Sequence, residues 1–219
     1  MAQNNLQRVF RLDIAYDGTE FLGFQEQKEG KTIQSQLQDA LKKIFKQPIT
    51  LYGSGRTDAG VHALQQVISF LAPSSIPLQG LKRALNALLP LTIRVLKVQE
   101  ENSSFHARFS PKRRTYVYLV YNHEICPPFL HRYVHWIKHP LRIKKIKKAL
   151  SYLQGEHDFK AFCEKEKEKP SYVRTLYTLK LKKKGPFIMI SIQGNGFLRR
   201  MVRVIVGTAL SIGSYDNIK

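Results

Sequence analysis

Residues 49–71 read ITLYGSGRTDAGVHALQQVISFL, and the way this stretch divides decides the fold. Its ends, about 49–53 and 66–71, read as two short strands, and the middle gathers three glycines, an arginine and an aspartate, the composition of a loop. These consecutive strands are the centre of a longer pattern. Upstream, residues 8–16 place Phe10, Leu12, Ile14 and Tyr16 on one face, the period of two that marks a strand. A turn and loop follow, then Thr32 as N-cap of a helix whose apolar positions Ile33, Leu37, Leu41 and Ile44 recur at helical spacing until Pro48 stops it. Downstream, a second helix carries Leu81, Leu85 and Leu88 as far as Pro90, and LTIRVLKV is a further strand. The first half thus reads βαββαβ, a split β-α-β unit.

The pattern starts again with TYVYLVY at 115–121. A helix over 142–154 turns Ile143, Ile146, Leu150 and Leu153 inward and lysines outward. Strands are expected at about 172–183 and 187–193, then a helix over 197–212 presenting Leu198, Met201, Val202, Ile205, Val206 and Ala209 to a core. The repeat breaks off at Lys219 as βαββα, so the second half is expected to lack its last strand and to leave a neighbouring sheet edge exposed. The division expected is 1–105, a half bearing the aspartate motif, and 106–219, a basic half.

Composition narrows the partner. The chain has 219 residues, 43% of them hydrophobic and 11% aromatic, enough to fill a core in each half. Lys and Arg number 36 against 16 Asp and Glu, for a net charge of +20, which calls for a polyanion. The excess is uneven: residues 1–105 carry 12 basic and 9 acidic side chains, residues 106–219 carry 24 and 7. No apolar run approaches the roughly 18 residues of a spanning helix, and the N-terminus lacks a signal peptide's apolar segment, so no membrane partner and a cytoplasmic location are expected. Cys126 and Cys163 have no CxxC spacing and no ligand set, which points to reduced, structural thiols and no metal site.

Within the loop, Asp58 alone would be read as a turn residue. Three features favour chemistry instead. Gly53, Gly55 and Gly60 permit close backbone approach by a bulky ligand, Arg56 can pair with the carboxylate or bind a phosphate, and the basic chain draws an RNA backbone to the same place. A nucleotide phosphate loop is disfavoured, because no Gly-Lys-Ser/Thr follows and the next element is a strand. Tyr116 shares a strand face with Tyr118 and Val120, as a core tyrosine would, yet Lys112, Arg113 and Arg114 precede it, and cations beside aromatics grip single-stranded RNA. Arg199 and Arg203, four apart, are expected on one helix face with Arg200 turned about 100° away. Arg108 is a candidate for phosphate, and His106 for an RNA contact or a structural hydrogen bond. The run RIKKIKK at 142–148 reads as the polar side of an amphipathic helix, equally a solvated face or a contact for nucleic-acid phosphates, and CEKEKEKPSY from Cys163 as a mobile loop.

GSGRTDAGVHALQQVISF resembles the active-site motif of the tRNA pseudouridine synthase A family. YDGTEFLGFQEQ from Tyr16, NALLP from Asn86, FHARFSPKRRTYVYLVYN from Phe105 and GNGFLRRMVRVIVGTAL from Gly194 match in the family's order, across nearly the whole chain. The resemblance implies an α+β fold of two ferredoxin-like, RRM-like βαββαβ halves with mostly antiparallel sheets joined around a central cleft, the second half without its last strand. It implies that uridine is isomerised to pseudouridine in the tRNA anticodon stem-loop, at positions 38, 39 and 40, by a homodimer that needs no cofactor. Asp58 would be the catalytic carboxylate, attacking the target nucleotide or abstracting a sugar proton. Arg56 and Arg203 would line the pocket, Tyr116 would stack on the target base, and Arg108, Lys112, Arg113, Arg114 and Arg199 would contact RNA. It also implies a further helix and strand past Lys219, with lower stability and turnover expected of a chain without them. The competing readings are a non-catalytic RNA binder of the same fold and a basic structural protein of a ribonucleoprotein. Asp58 separates them, because a mere binder has no need of an acid in the path of an anionic ligand.

Overall fold

The alternation of 8–16 becomes β1 (Gln7–Tyr16), whose Phe10, Leu12, Ile14 and Tyr16 are all buried in the computed structural model, which describes residues 7–73, 76–164 and 171–214. Two compact units divide the chain, 1–111 and 112–219. The first holds β1, α1 (Ile33–Phe45), β2 (Leu51–Gly53), β3 (Ala63–Pro73), α2 (Leu78–Leu88) and β4 (Ile93–Glu101). Its sheet runs β2-β3-β1-β4 with every neighbouring pair antiparallel.

Both helices cover one face of that sheet, with Leu37, Leu41, Leu81 and Leu85 fully buried against it. Phe10 and Phe70 stack across β1 and β3 at 5.3 Å, with Phe45 of α1 at 6.3 Å and 6.2 Å from them. Each such side chain contributes about 1.5–3 kcal/mol on leaving water. Thr32 and Ser35 form the capping box that starts α1: Ser35 N–H donates to Thr32 Oγ1 at 3.1 Å, and Thr32 N–H donates to Ser35 Oγ at 3.2 Å. Asn86 of α2 joins the helix to edge strand β4, its amide bonding Val95 N–H and Val95 carbonyl, each at 2.9 Å. The segment 102–110 crosses the face opposite the helices. Ala107 is fully buried there and donates its N–H to Ser69 Oγ at 3.0 Å, and the Arg11 guanidinium lies 5.8 Å over Phe105. Arg11 also bonds Asp13 at 2.9 Å, which raises the guanidinium pKa against the opposing effect of burial. These contacts place 106–111 with the first unit rather than with the basic half.

The second unit holds β5 (Arg114–Asn122), β6 (His135–Ile137), α3 (Ile143–Ser151), β7 (Gly155–Asp158), a short 3-10 turn (Lys160–Phe162), β8 (Val173–Lys184), β9 (Phe187–Gly194) and α4 (Met201–Ser214). The sheet order is β6-β5-β9-β8-β7, antiparallel except for β6 against β5. Val120, Ile188, Ile190 and Ile192 pack on Ile146 and Leu150 of α3 and on Met201, Ile205 and Val206 of α4. This mixed α/β architecture with two mostly antiparallel sheets departs from expectation in three places.

First, β6 and β7 are additional strands, too short and too polar (HWI and GEHD) to show a period. Second, β6 pairs with β5 in parallel at Val120–Asn122, a pairing absent from the βαββα pattern. Third, α4 begins at Met201, not 197, because residues 195–200 form a bend and turn in which Arg200 adopts a positive φ of 58°. The expected mobile loop from Cys163 lies, from residue 165 to 170, outside the described residues. No helix among the described residues is long and apolar enough to cross a membrane.

Candidate active site

Asp58 sits half-buried on the loop 54–62 that joins β2 to β3. Both ends of this loop are fastened. At its start, Ser54 N–H donates to Val67 carbonyl at 2.8 Å, and Gln66, itself buried, donates from Nε2 to Gly55 carbonyl at 2.6 Å. Past Asp58, Val61 N–H returns to the Asp58 carbonyl at 3.2 Å, and Gly60 N–H donates to Phe21 carbonyl at 3.3 Å. A backbone that bonds on both sides of a carboxylate fixes where that carboxylate can point.

The other wall is the loop that follows β1. Phe24 N–H donates to Thr57 carbonyl at 3.0 Å, and Tyr16 OH meets Thr57 Oγ1 at 2.8 Å, so the residue before Asp58 is held by both backbone and side chain. Gly23 has a φ of +102°, and a Cβ there would fall 2.6 Å from Thr57 carbonyl oxygen and 3.2 Å from the Asp58 carbonyl carbon. Only glycine lets the two backbones come this close. His62 Nδ1 lies 3.0 Å from Asp17 Oδ1 and 3.1 Å from Gly18 N: protonated it donates to the carboxylate, unprotonated it accepts from Gly18 N–H. Sequence reasoning missed Tyr16, Gly23, His62 and Gln66 as supports of the loop. The signal for Tyr16 and Gly23 was the match of YDGTEFLGFQEQ, whose residues turn out to be the wall against which the aspartate loop rests; His62 and Gln66 lie in the aspartate motif itself.

Two glycines of the motif have local reasons other than ligand approach. Gly53 is required by the Phe24 ring, which a Cβ would meet at 2.6 Å, and Gly60 by its φ of +75° in the turn after Asp58. Arg56 is exposed two residues before Asp58. Tyr16→Phe tests the clamp: loss of the Thr57 bond is expected to cost about 1 kcal/mol of stability, read by denaturant unfolding.

Arg108 belongs to the first unit; Lys112, Arg113, Arg114, Tyr116, Arg199 and Arg203 belong to the second. Tyr116, on the core-facing side of β5 and paired with Ile192, is half-buried with its ring edge-to-face on Phe197 at 5.0 Å. Tyr118 on the same face bonds His135 Nδ1 at 2.9 Å; burial raises its hydroxyl pKa, and the positive charge of Arg203 acts in the opposite sense. The Arg113 guanidinium lies 5.4 Å over Tyr177, Arg114 donates to Asn195 carbonyl at 3.1 Å, and Lys112 is exposed.

Arg199 and Arg203 do not share a helix face. Arg199 lies in the turn ahead of α4, where its carbonyl accepts Glu164 N–H at 3.1 Å. The Nε atoms of Arg199 and Arg200 each approach Glu164 Oε2 at 3.2 Å, as ion pairs rather than aligned hydrogen bonds. The turn forms because Leu198, buried, anchors it: Met201 N–H donates to Leu198 carbonyl at 3.1 Å. Arg203 is exposed in the first turn of α4. Among the described residues no group of three His, Cys, Asp or Glu side chains is placed to hold a metal ion.

The family profile described as tRNA pseudouridine synthase matches residues 14–110 and 149–217. The chain is 45% identical over 200 residues to the tRNA pseudouridine synthase A of Thermoanaerobacter sp. (strain X514), covering 91% of this chain and 82% of that protein. It is 42% identical over 203 residues to the tRNA pseudouridine synthase A of Brevibacillus brevis, covering 93% and 83%. Among solved structures, an H/ACA RNP bound to a substrate RNA containing 2′-deoxyuridine is similar at 15% identity and a TM-score of 0.36, over 92% of this chain and 53% of that one, too loose a superposition to argue from.

Proposed function

The chain belongs to the tRNA pseudouridine synthase family, and from that premise we propose that Asp58 is its nucleophile and that the target uridines lie in the anticodon stem-loop, at positions 38, 39 and 40. The observation that supports this is the loop 54–62: in a chain of net charge +20, one half-buried carboxylate stands on a backbone fastened to β3 and to the loop after β1. Fixed geometry is what a nucleophile needs, since positioning supplies much of an enzyme's rate.

Isomerisation breaks the uridine N1–C1′ bond, turns the uracil and forms C5–C1′, with the C5 proton lost to solvent and a proton gained at N1. Atoms and electrons balance without any external group or redox partner, so we assign no cofactor. Attack by the Asp58 carboxylate on the target nucleotide gives a covalent intermediate that splits one difficult step into two. The base must first leave its stack, and we assign Tyr116 to hold it. Arg56 and Arg203 are assigned to pair with the carboxylate or with RNA. Arg108, Lys112, Arg113, Arg114 and Arg199 are assigned to the RNA backbone, in a cytoplasmic homodimer of two ferredoxin-like halves per chain.

The test is tritium release from tRNA carrying 5-tritiated uridine. Release is expected from transcripts with uridine at 38, 39 or 40 and not from those with cytidine at all three. Equal release from both would overturn the assignment of positions, and none from either would overturn the assignment of Asp58 chemistry to this chain. Neutralising Arg113 and Arg114 to glutamine is expected to weaken tRNA binding and to lower the slope of log affinity against log salt by about one for each phosphate no longer neutralised. The slope is read from filter binding at several salt concentrations, and an unchanged slope would mean that neither residue meets a phosphate.

A further inference from the structure

The first unit carries an aromatic ladder that neither the active-site loop nor the core accounts for. Tyr52 projects from edge strand β2 on the face opposite the helices, and His106 lies on it with ring centroids 4.4 Å apart. Phe109 continues the series at 4.6 Å from His106, the rings tilted by 40° and 33°. The ladder ends in the open: Tyr52 is 45% exposed and Phe109 75%. The Arg108 guanidinium stands 5.6 Å over the Phe109 ring, adding a cation at the exposed end.

Packing does not explain why these rings are held. Ala107 plugs into the sheet and bonds Ser69, which anchors the turn. His106 carbonyl accepts both Phe109 N–H at 3.1 Å and Ser110 N–H at 2.9 Å, and His106 N–H donates to Ser110 Oγ at 3.0 Å. His106 Nδ1 accepts Arg108 N–H at 3.2 Å, which ties the ring to the turn. These hydrogen bonds fix the turn that carries His106, which is part-buried, and Phe109, which remains largely in water. A surface ordered before anything binds to it lowers the entropy lost on binding.

We propose that Tyr52, His106 and Phe109 form a stacking platform for an unpaired nucleobase of the tRNA, with Arg108 beside it. This rests on the tRNA reading above and adds residues that hold RNA to those assigned to the target base. Every base has a π-face, so an aromatic stack beside a cation binds single-stranded RNA with little regard to sequence, and a chain of net charge +20 brings the strand to it. A folded RNA duplex offers no open base face and gains nothing from the platform.

The experiment uses the full chain with an anticodon stem-loop RNA in which 2-aminopurine replaces each unpaired loop base in turn, its fluorescence being quenched on stacking. Quenching at one position is expected with the parent protein and with Phe109→Trp, and loss of that quenching with Phe109→Ala and Phe109→Leu. Affinity for the stem-loop should fall by about 5- to 150-fold in the alanine and leucine variants, the range for removing one base stack, with affinity for a fully paired RNA and the salt slope unchanged. Leucine as good as phenylalanine, or equal losses on paired and unpaired RNA, would overturn the platform. So would altered sedimentation of the variants with unaltered RNA affinity, which would make the ladder a contact between copies of the chain. Tritium release separates this from the catalytic assignment: release by the parent with quenching unmoved in every variant sinks the platform alone. Quenching that follows the ring without any release sinks the assignment of Asp58 alone.

Discussion

Asp58→Asn is expected to release no measurable tritium from 5-tritiated uridine in tRNA while binding that tRNA at least as tightly as the parent. The substitution keeps the shape of the side chain and leaves in place the loop contacts made by Ser54 N–H, Gly55 carbonyl, Thr57 hydroxyl and carbonyl, Gly60 N–H and the Asp58 carbonyl. The fold of the loop therefore survives. What disappears is an anionic oxygen able to attack, which an amide cannot replace. Removal of a nucleophile from an enzyme that works through a covalent intermediate leaves only binding and positioning, and the scale of such losses is on the order of 10⁴ to 10⁶ in turnover. Binding should move the other way or not at all, because a carboxylate close to a polyanion opposes binding at every salt concentration. Turnover by the asparagine variant within tenfold of the parent would end the assignment. The same pair of measurements separates an isomerase from a plain RNA binder, in which Asp58 could only weaken the complex.

The sequence displays its periods and its punctuation, and the elements built from them were legible. Phe10, Leu12, Ile14 and Tyr16 alternate because one face of β1 is buried, and Thr32 stands at a helix start because its hydroxyl caps an open N–H. The elements that were not legible are those whose stability comes from a neighbour. Strand β7 is GEHD, with no apolar alternation, and exists because β8 offers it an edge along Val173–Leu176. The start of α4 was misplaced for a related reason: GFLRRM has helical composition, but buried Leu198 and the Glu164 carboxylate pull 199–200 into a turn, and with it Arg199 off the helix face. For the site, composition made Asp58 and Arg56 conspicuous. The supports were hidden, since nothing local in FLGFQ says that its glycine faces the backbone of Thr57 and Asp58, an approach that exists only once β1 and β3 have paired.

That close approach gives the second large effect. Gly23→Ala is expected to lower turnover by about 100-fold, the scale for displacing a catalytic group by an ångström, with tRNA affinity nearly unchanged. The added methyl would stand 2.6 Å from Thr57 carbonyl oxygen, 3.2 Å from the Asp58 carbonyl carbon and 3.3 Å from Ala59 nitrogen. All three neighbours are backbone, so no side-chain rotation relieves the overlap, and one of the two loops must move. Movement breaks or stretches the Phe24 N–H bond to Thr57 carbonyl and the Ile33 N–H bond to Gly23 carbonyl. Strain from a φ of +102° adds to this, for a combined cost of roughly 2–4 kcal/mol and a fall of roughly 10 °C in melting temperature. Gly60→Ala is the informative partner. Gly60 is nearer to Asp58 in sequence and also has a positive φ, of +75°, but a methyl there meets nothing within 4 Å. It should carry the strain alone and lose less turnover than Gly23→Ala. If the two variants lost turnover equally, backbone strain near the aspartate would account for both, and the loop after β1 would have no part in aiming it. If Gly23→Ala kept the parent's turnover and melting temperature, the wall described for Asp58 would be wrong. The larger loss at the more distant glycine is the outcome that a carboxylate aimed from behind by a second loop requires.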